Sequence, residues 1–343
     1  MPTWQLQSKH ICRRLLSRFL LAGGWPKKNK VREVQRDEEW KRVMWLGRGA
    51  YGNVSMTVAL QGGFYFTVKS TPRDTTAEID LQNERMVLQH DMAKAPNVIR
   101  CLGWTDSDMD DYGVPLYSVF LEYMRGGSLQ QLVNSRGGRL SEEEMRVYTR
   151  AIVRALVYMH SRGIVHCDVK CANVLLESTM EVKESAVKLA DLGFASRFSG
   201  RRLQEGIHQQ APTARDVKAR GTWSHMAPEL WASGFYMPAS QLPPADIWSL
   251  ECTVVSMLQG KPPWGNAVHE PLAVTSLLPT NLPADCQYFI NQCMHPSPAS
   301  RWTSQQLLSH PFLETSTRRI CPPLGSVQAV LSSCGPGFSL DPR

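Results

Sequence analysis

The chain has 343 residues, 43% of them apolar, and a formal net charge of +7, enough material for a large core and for two lobes. The charge is local: residues 1–42 carry eleven Lys/Arg and four Asp/Glu, and the remainder carries 27 of each sign, which removes the electrostatic case for a nucleic-acid partner of the main domain. No apolar run approaches the ~20 residues of a membrane-spanning helix. A soluble protein, cytoplasmic or nuclear, is therefore expected, and nine scattered cysteines without zinc-site spacing read as reduced thiols.

Residues 1–39 read as a basic extension. No acidic residue precedes Glu33, and Ile11, Leu15, Leu16, Phe19 and Leu20 interleave with Arg13, Arg14 and Arg18. The pattern suits a tail without fixed structure, an organelle transit peptide or a membrane-surface helix. Arg18 interrupts the apolar stretch and argues against a secretory signal.

From Trp40 the pattern changes. Leu46, Gly47, Arg48, Gly49, Ala50, Tyr51, Gly52, Asn53 and Val54 form a glycine-rich turn with strand-like sequence on both sides. A dinucleotide-binding turn would instead open a helix. Glycines let the backbone fold over phosphates with N–H groups pointing at them, although a hairpin that binds nothing has the same local signature. Phe64–Lys69 reads as a strand ending in a lysine, whose charge is costly to bury alone. A helix expected over Thr76–Asp91 offers Glu84 as its partner, with Glu78 as the alternative.

Val119–Met124 is a strand running into a connector. Ser141-Glu142-Glu143-Glu144 is a capping box and starts a helix to about Ser161, with Met145, Tyr148, Ile152, Leu156 and Met159 on one core face and Gly163 closing it. The following loop holds a carboxylate, Asp168, an ammonium two residues on, Lys170, and a carboxamide five residues on, Asn173. These groups suit phosphoryl transfer: an acceptor for a hydroxyl proton, a cation to offset phosphoryl charge, and a hard oxygen for Mg²⁺. A plain polar turn is the alternative for that loop taken alone. Val187–Gly193 is a strand ending in a carboxylate, and Asp191 with Asn173 makes a pair of oxygen ligands for Mg²⁺.

Taken in order, the glycine turn, Lys69, Glu84, the loop His166–Asn173, Asp191-Leu192-Gly193 and Ala227-Pro228-Glu229 resemble the protein kinase signature set. The resemblance covers about residues 40–313. It implies an α+β, two-lobed protein kinase fold: a small β-rich N-lobe with one main helix over about 40–122, and a larger, mostly helical C-lobe over about 123–313. Residues 314–343, rich in Pro, Gly and Ser, are expected to be a disordered tail. ATP and Mg²⁺ are the implied cofactors. Lys69, Asp168 and Lys170 take the catalytic roles, and Asn173 and Asp191 hold the metal. Leu46 through Val54, Thr67, Lys69, Glu84, the hinge residues Glu122 and Met124, and Leu175 surround the nucleotide, with Leu121 as gatekeeper.

By the same resemblance, Thr222 bonds the catalytic Asp and Lys, which favours Ser/Thr over Tyr substrates. Glu229 pairs with Arg301, and Asp246 holds the catalytic loop from below. Thr213, Thr222, Ser196, Ser199 and Ser224 are candidate phosphosites. Phe120–Met124, Gly126–Leu129, Gly163–Asn173, Ala245–Trp248 and Lys261–Trp264 are similar to plant mitogen-activated protein kinase kinase kinases, which implies a downstream kinase as substrate.

Five positions depart from the family pattern. Leu192 replaces a Phe, an apolar exchange of about 1.5 kcal/mol at most. Cys167 replaces an Arg that would pair with a phosphorylated loop, which weakens the case for that kind of switching. Thr67 replaces an Ala above the adenine, and Trp223 replaces a Pro in the substrate-contacting stretch. Glu251 stands for a Gly inside a buried helix and is expected to find a basic partner or reach water. A pseudokinase scaffold is the alternative function. A small-molecule kinase is disfavoured by Ala227-Pro228-Glu229 and Thr222.

Overall fold

The computed structural model describes residues 33–34, 39–49, 52–180, 182–198, 217–218, 221–233, 236–237, 242–263 and 282–314. Ala50, Tyr51, Ser199, Thr213, Trp264, most of the basic extension and the tail from residue 315 lie outside them.

The chain first builds an antiparallel sheet. β1 (Trp40–Gly49), β2 (Gly52–Ala59) and β3 (Tyr65–Pro72) form a meander, and β4 (Cys101–Met109) and β5 (Pro115–Glu122) a hairpin, in the order β1-β2-β3-β5-β4. Strand alternation divides β3 between two environments. Phe66 and Val68 face one way, into a small core with Val34, Ala59, Phe64, Leu102 and Phe120. Thr67 and Lys69 face the other. Trp40 closes the small core with its ring edge-on to Phe120 at 5.6 Å. Val34 donates its N–H to the Leu102 carbonyl at 2.8 Å, so the sheet recruits a residue from the end of the basic extension.

Lys69 does not end its strand. β3 continues to Pro72, with Ser70 and Thr71 paired to Ser118 and Tyr117 of β5. The lysine therefore sits within a strand bonded on both sides, where its backbone is held more firmly than at a strand end. Between β3 and β4 lies α1 (Thr76–Met86), capped by Thr75. The chain then widens into a single π turn, Val87–Asp91, where continued α-helix was expected.

The rest of the domain is mostly helical. After β6 (Gly127–Ser128) come α2 (Leu129–Ser135) and α3 (Glu142–Ser161). In α3 the five expected core residues are all buried. Its capping box is complete: the Glu144 N–H donates to Ser141 Oγ at 3.3 Å and the Ser141 N–H to Glu144 Oε2 at 3.0 Å. Ser141→Ala is expected to lower stability by about 1 kcal/mol, measured as a shift in denaturation midpoint.

Short strands β7 (Ile164–Val165), β8 (Val174–Leu176), β9 (Val187–Leu189) and β10 (Ser196–Arg197) then lie between the sheet and the remaining helices. Those helices are α4 (Pro228–Ala232), α5 (Pro243–Gln259), α6 (Ala284–Cys293) and α7 (Ser304–Leu308). α5 is buried on all sides from Ala245 to Leu258, as a helix at the centre of a core must be. Among the described residues no helix is long and apolar enough to cross a membrane.

Glu251, on α5, departs from expectation. It is fully buried, and among the described residues it has no basic partner. Among the described residues neither oxygen has a hydrogen-bond partner of normal length, and the Cys293 thiol only softens the effect of burial. Burial pushes its carboxyl up to about 8. The group escapes an unpaired charge by keeping its proton, the third route open to a buried acid.

Candidate active site

The site lies where the inner face of the sheet meets the short strands. Lys69 Nζ is 2.6 Å from Glu84 Oε2 on α1 and 2.6 Å from Asp191 Oδ1 beyond β9. Burial by itself would depress the Lys69 ammonium, but the Glu84 and Asp191 carboxylates outweigh it and hold it above its usual range. Glu84 also accepts the Leu192 N–H at 3.2 Å. One carboxylate thus ties the sheet, α1 and the turn after Asp191 together. Glu78, the alternative partner, pairs with Arg73 at 3.0 Å. Leu192 is fully buried, so its apolar side chain fills the place expected of it. The π turn ends in Asp91, which pairs with Arg197 of β10, a second link between this helix and the segment after Asp191.

Gly52 pairs with Gly49 across the base of the glycine turn. A Cβ on Gly52 would lie 2.0 Å from the Ser70 carbonyl, and its φ is +148°. That glycine is therefore required by contact with β3, in addition to any phosphate. Leu46, Gly47, Arg48, Asn53 and Val54 flank it on β1 and β2. Across the sheet Thr67 registers with Met56 and Leu121, and Leu175 is half-buried on β8. At the connector, the Glu122 carboxylate accepts the Arg100 N–H at 2.8 Å, and the Met124 carbonyl accepts from Gly127 at 3.2 Å. Among the described residues the Met124 N–H has no partner.

The loop from His166 to Asn173 hangs from α5. Asp246 accepts the His166 N–H at 2.8 Å and the Cys167 N–H at 2.9 Å, and meets His160 Nε2 at 2.9 Å. His166 is locked as well: Nδ1 accepts the Asp168 N–H at 3.2 Å, which leaves Nε2–H to donate to the Ala190 carbonyl at 3.1 Å. These bonds hold Cys167 at φ +66°, a left-handed conformation that favours glycine. Burial drives the Cys167 thiol well above its usual range.

Asp168 is surrounded by donors. Oδ1 accepts the Thr222 N–H at 2.7 Å; Oδ2 takes Lys170 Nζ at 2.7 Å and Asn173 Nδ2 at 2.9 Å. Burial opposes ionisation, but the Lys170 ammonium and these hydrogen bonds hold the carboxyl below its usual range. Lys170 also donates to Thr222 Oγ1 at 2.5 Å.

Gly221 makes this arrangement possible, and no motif pointed to it. A Cβ there would stand 2.3 Å from the Cys167 carbonyl, at φ +138°. Gly221→Ala is expected to displace Thr222 from Asp168 and lower turnover on the order of tenfold through strain of about 1–3 kcal/mol. Steady-state kinetics with nucleotide affinity measured separately would check it. His160 was also missed, because its partner Asp246 lies far along the chain. The neighbouring Trp223 is half-exposed and stacks on Trp231 at 5.1 Å. Farther out, Arg301 grips both oxygens of Glu229 at 2.6 and 2.7 Å.

The family model for the protein kinase domain matches residues 40–313. The chain belongs to the protein kinase family. The kinase is 33% identical over 292 residues to mitogen-activated protein kinase kinase kinase 20 of Arabidopsis thaliana, covering 80% of this chain and 78% of that relative. It is also 33% identical over 288 residues to kinase kinase kinase 17 of the same plant, covering 81% and 70%. Mitogen-activated protein kinase kinase kinase A of Dictyostelium discoideum is 32% identical over 315 residues, 86% of this chain but 30% of that relative. The expected two-lobed fold is present, an antiparallel sheet followed by a helical region. The enzyme is a serine/threonine protein kinase, and the pseudokinase alternative is not favoured.

Proposed function

We propose that this kinase moves the γ-phosphoryl group of ATP to Ser or Thr hydroxyls of a downstream kinase, in a mitogen-activated protein kinase cascade. The observation that carries this reading is the joint closure of two clusters, Lys69–Glu84–Asp191 and Asp168–Lys170–Thr222. Nucleotide binding falls to the glycine turn, to Lys69 on the α/β-phosphates, and to the hinge, where the Met124 N–H is available to the adenine. Thr67, Val54 and Leu175 flank the base.

The donor set fits magnesium. Asn173 spends its amide nitrogen on Asp168, leaving a neutral oxygen, and Asp191 supplies a carboxylate. One or two protein oxygens plus phosphates are what Mg²⁺ usually takes. When bound there, the ion offsets phosphate charge.

Asp168 orients the acceptor hydroxyl. Held ionised below the usual carboxylate range, it is a weak base, suited to accept the proton late, as the O–P bond forms in a loose transition state. Lys170 offsets charge on the moving group. Thr222 closes the acceptor side.

The test is transfer from Mg-ATP to a catalytically dead kinase-kinase, run beside a generic basic protein. A strong preference for the kinase-kinase is expected; equal labelling of both would remove the cascade assignment and leave a kinase of another pathway.

A further inference from the structure

Beside the catalytic loop is a cleft of about 530 Å³ whose walls include Gln130, Lys170, Ala172, Thr222, Ser224 and Lys261. Two of these residues, Lys170 and Thr222, also bond Asp168. A chain that presents its hydroxyl to Asp168 therefore has this cleft beside it.

The charge of that wall is one-sided. Among the described residues it contains two ammonium groups and no carboxylate. Lys170 is committed to Asp168 at 2.7 Å and to Thr222 at 2.5 Å. Lys261 is exposed and has no ion pair or hydrogen bond among the described residues. Burial drives the imidazole of His225, also in the wall, down to about 4, so it is neutral near pH 7. Ala172, also in the wall, adds no charge to it. A basic substrate side chain would meet like charge here, whereas an anionic one would meet an uncommitted ammonium.

We propose that Lys261 selects substrates carrying an anionic side chain, carboxylate or phosphate, within a few residues of the acceptor Ser or Thr. This rests on the protein-substrate reading above. It adds a selection that the catalytic residues do not supply.

The experiment uses the full chain and a set of Ser/Thr peptides with Asp, Glu, phosphoserine, Ala or Lys at each flanking position in turn. The readout is the ratio of kcat/KM for anionic over Ala peptides at one position, which is internal to each enzyme and insensitive to overall activity. The wild type is expected to favour Asp or Glu about fivefold at one flanking position, the scale of an exposed ion pair. If phosphoserine at that position is favoured more strongly than Asp, the anion is a phosphate; if not, it is a carboxylate. Lys261→Glu should invert the ratio, and Lys261→Ala, the milder change if the first does not fold, should bring it to about one. Peptides labelled without anion preference, or a preference unchanged in both variants, would overturn the proposal and leave the kinase reading standing. ATP turnover with no labelled peptide would instead overturn the protein-substrate reading, and this proposal with it.

Discussion

Asp168→Asn is expected to lower kcat by about 10²–10⁴-fold, the range for loss of a positioned acid–base group. The surroundings explain why even so small a change is severe. Among the described residues every hydrogen-bond partner of this carboxylate is a donor: the Thr222 N–H on one oxygen, Lys170 and Asn173 on the other. An amide in either orientation turns its NH₂ against one of those donors. The variant therefore loses the proton acceptor and also some of the scaffold around it. Nucleotide affinity should change little, because Lys69 and the glycine turn are untouched. Binding measured by calorimetry beside single-turnover transfer separates the two effects. A variant that transfers phosphate at near wild-type rate would remove Asp168 from the mechanism.

The second large effect concerns stability. Glu251 titrates near 8 in the folded protein against an ordinary value of 4.5. Between these values the folded state keeps a proton that the unfolded state has released, so stability falls as pH rises through the window. From pH 5 to pH 7.5 the loss is on the order of 3 kcal/mol. Below about 4.5 both states hold the proton and the effect vanishes; above about 8 it is at its full size. Glu251→Gln keeps the shape and removes the titration. The wild type should therefore lose stability relative to this variant as pH rises, read as diverging denaturation midpoints. Parallel curves across that range would mean that Glu251 has a partner or reaches water.

What the sequence revealed, and what it hid, follows from the range of each interaction. The loop from His166 to Asn173 and the capping box at Ser141 were legible because their chemistry is local. The Lys69–Glu84 pair was legible because a charge on an apolar strand demands a partner and a helix follows at once. Contacts between distant segments were not legible from residues alone. Asp246 lies 86 residues from His160, and Gly221 is constrained by a carbonyl 54 positions earlier, that of Cys167. The resemblance to kinases supplied Asp246 and the Glu229–Arg301 pair; it did not supply Gly221, His160 or Val34.

Glu251 shows a different limit. The expectation of a partner weighed only pairing and solvation, whereas a carboxyl can also remain neutral. At Lys69 the sequence suggests a strand end because polar residues usually stop apolar runs. Pairing with β5 carries the strand three residues farther.

Phosphoamino acid analysis decides whether the acceptors are aliphatic hydroxyls. A protein substrate labelled from Mg-ATP by the full chain would be hydrolysed and its phosphoamino acids separated. The arrangement of Asp168, Lys170 and Thr222 predicts phosphoserine and phosphothreonine. Phosphotyrosine as the main product, or no label from folded enzyme that binds ATP, would contradict it.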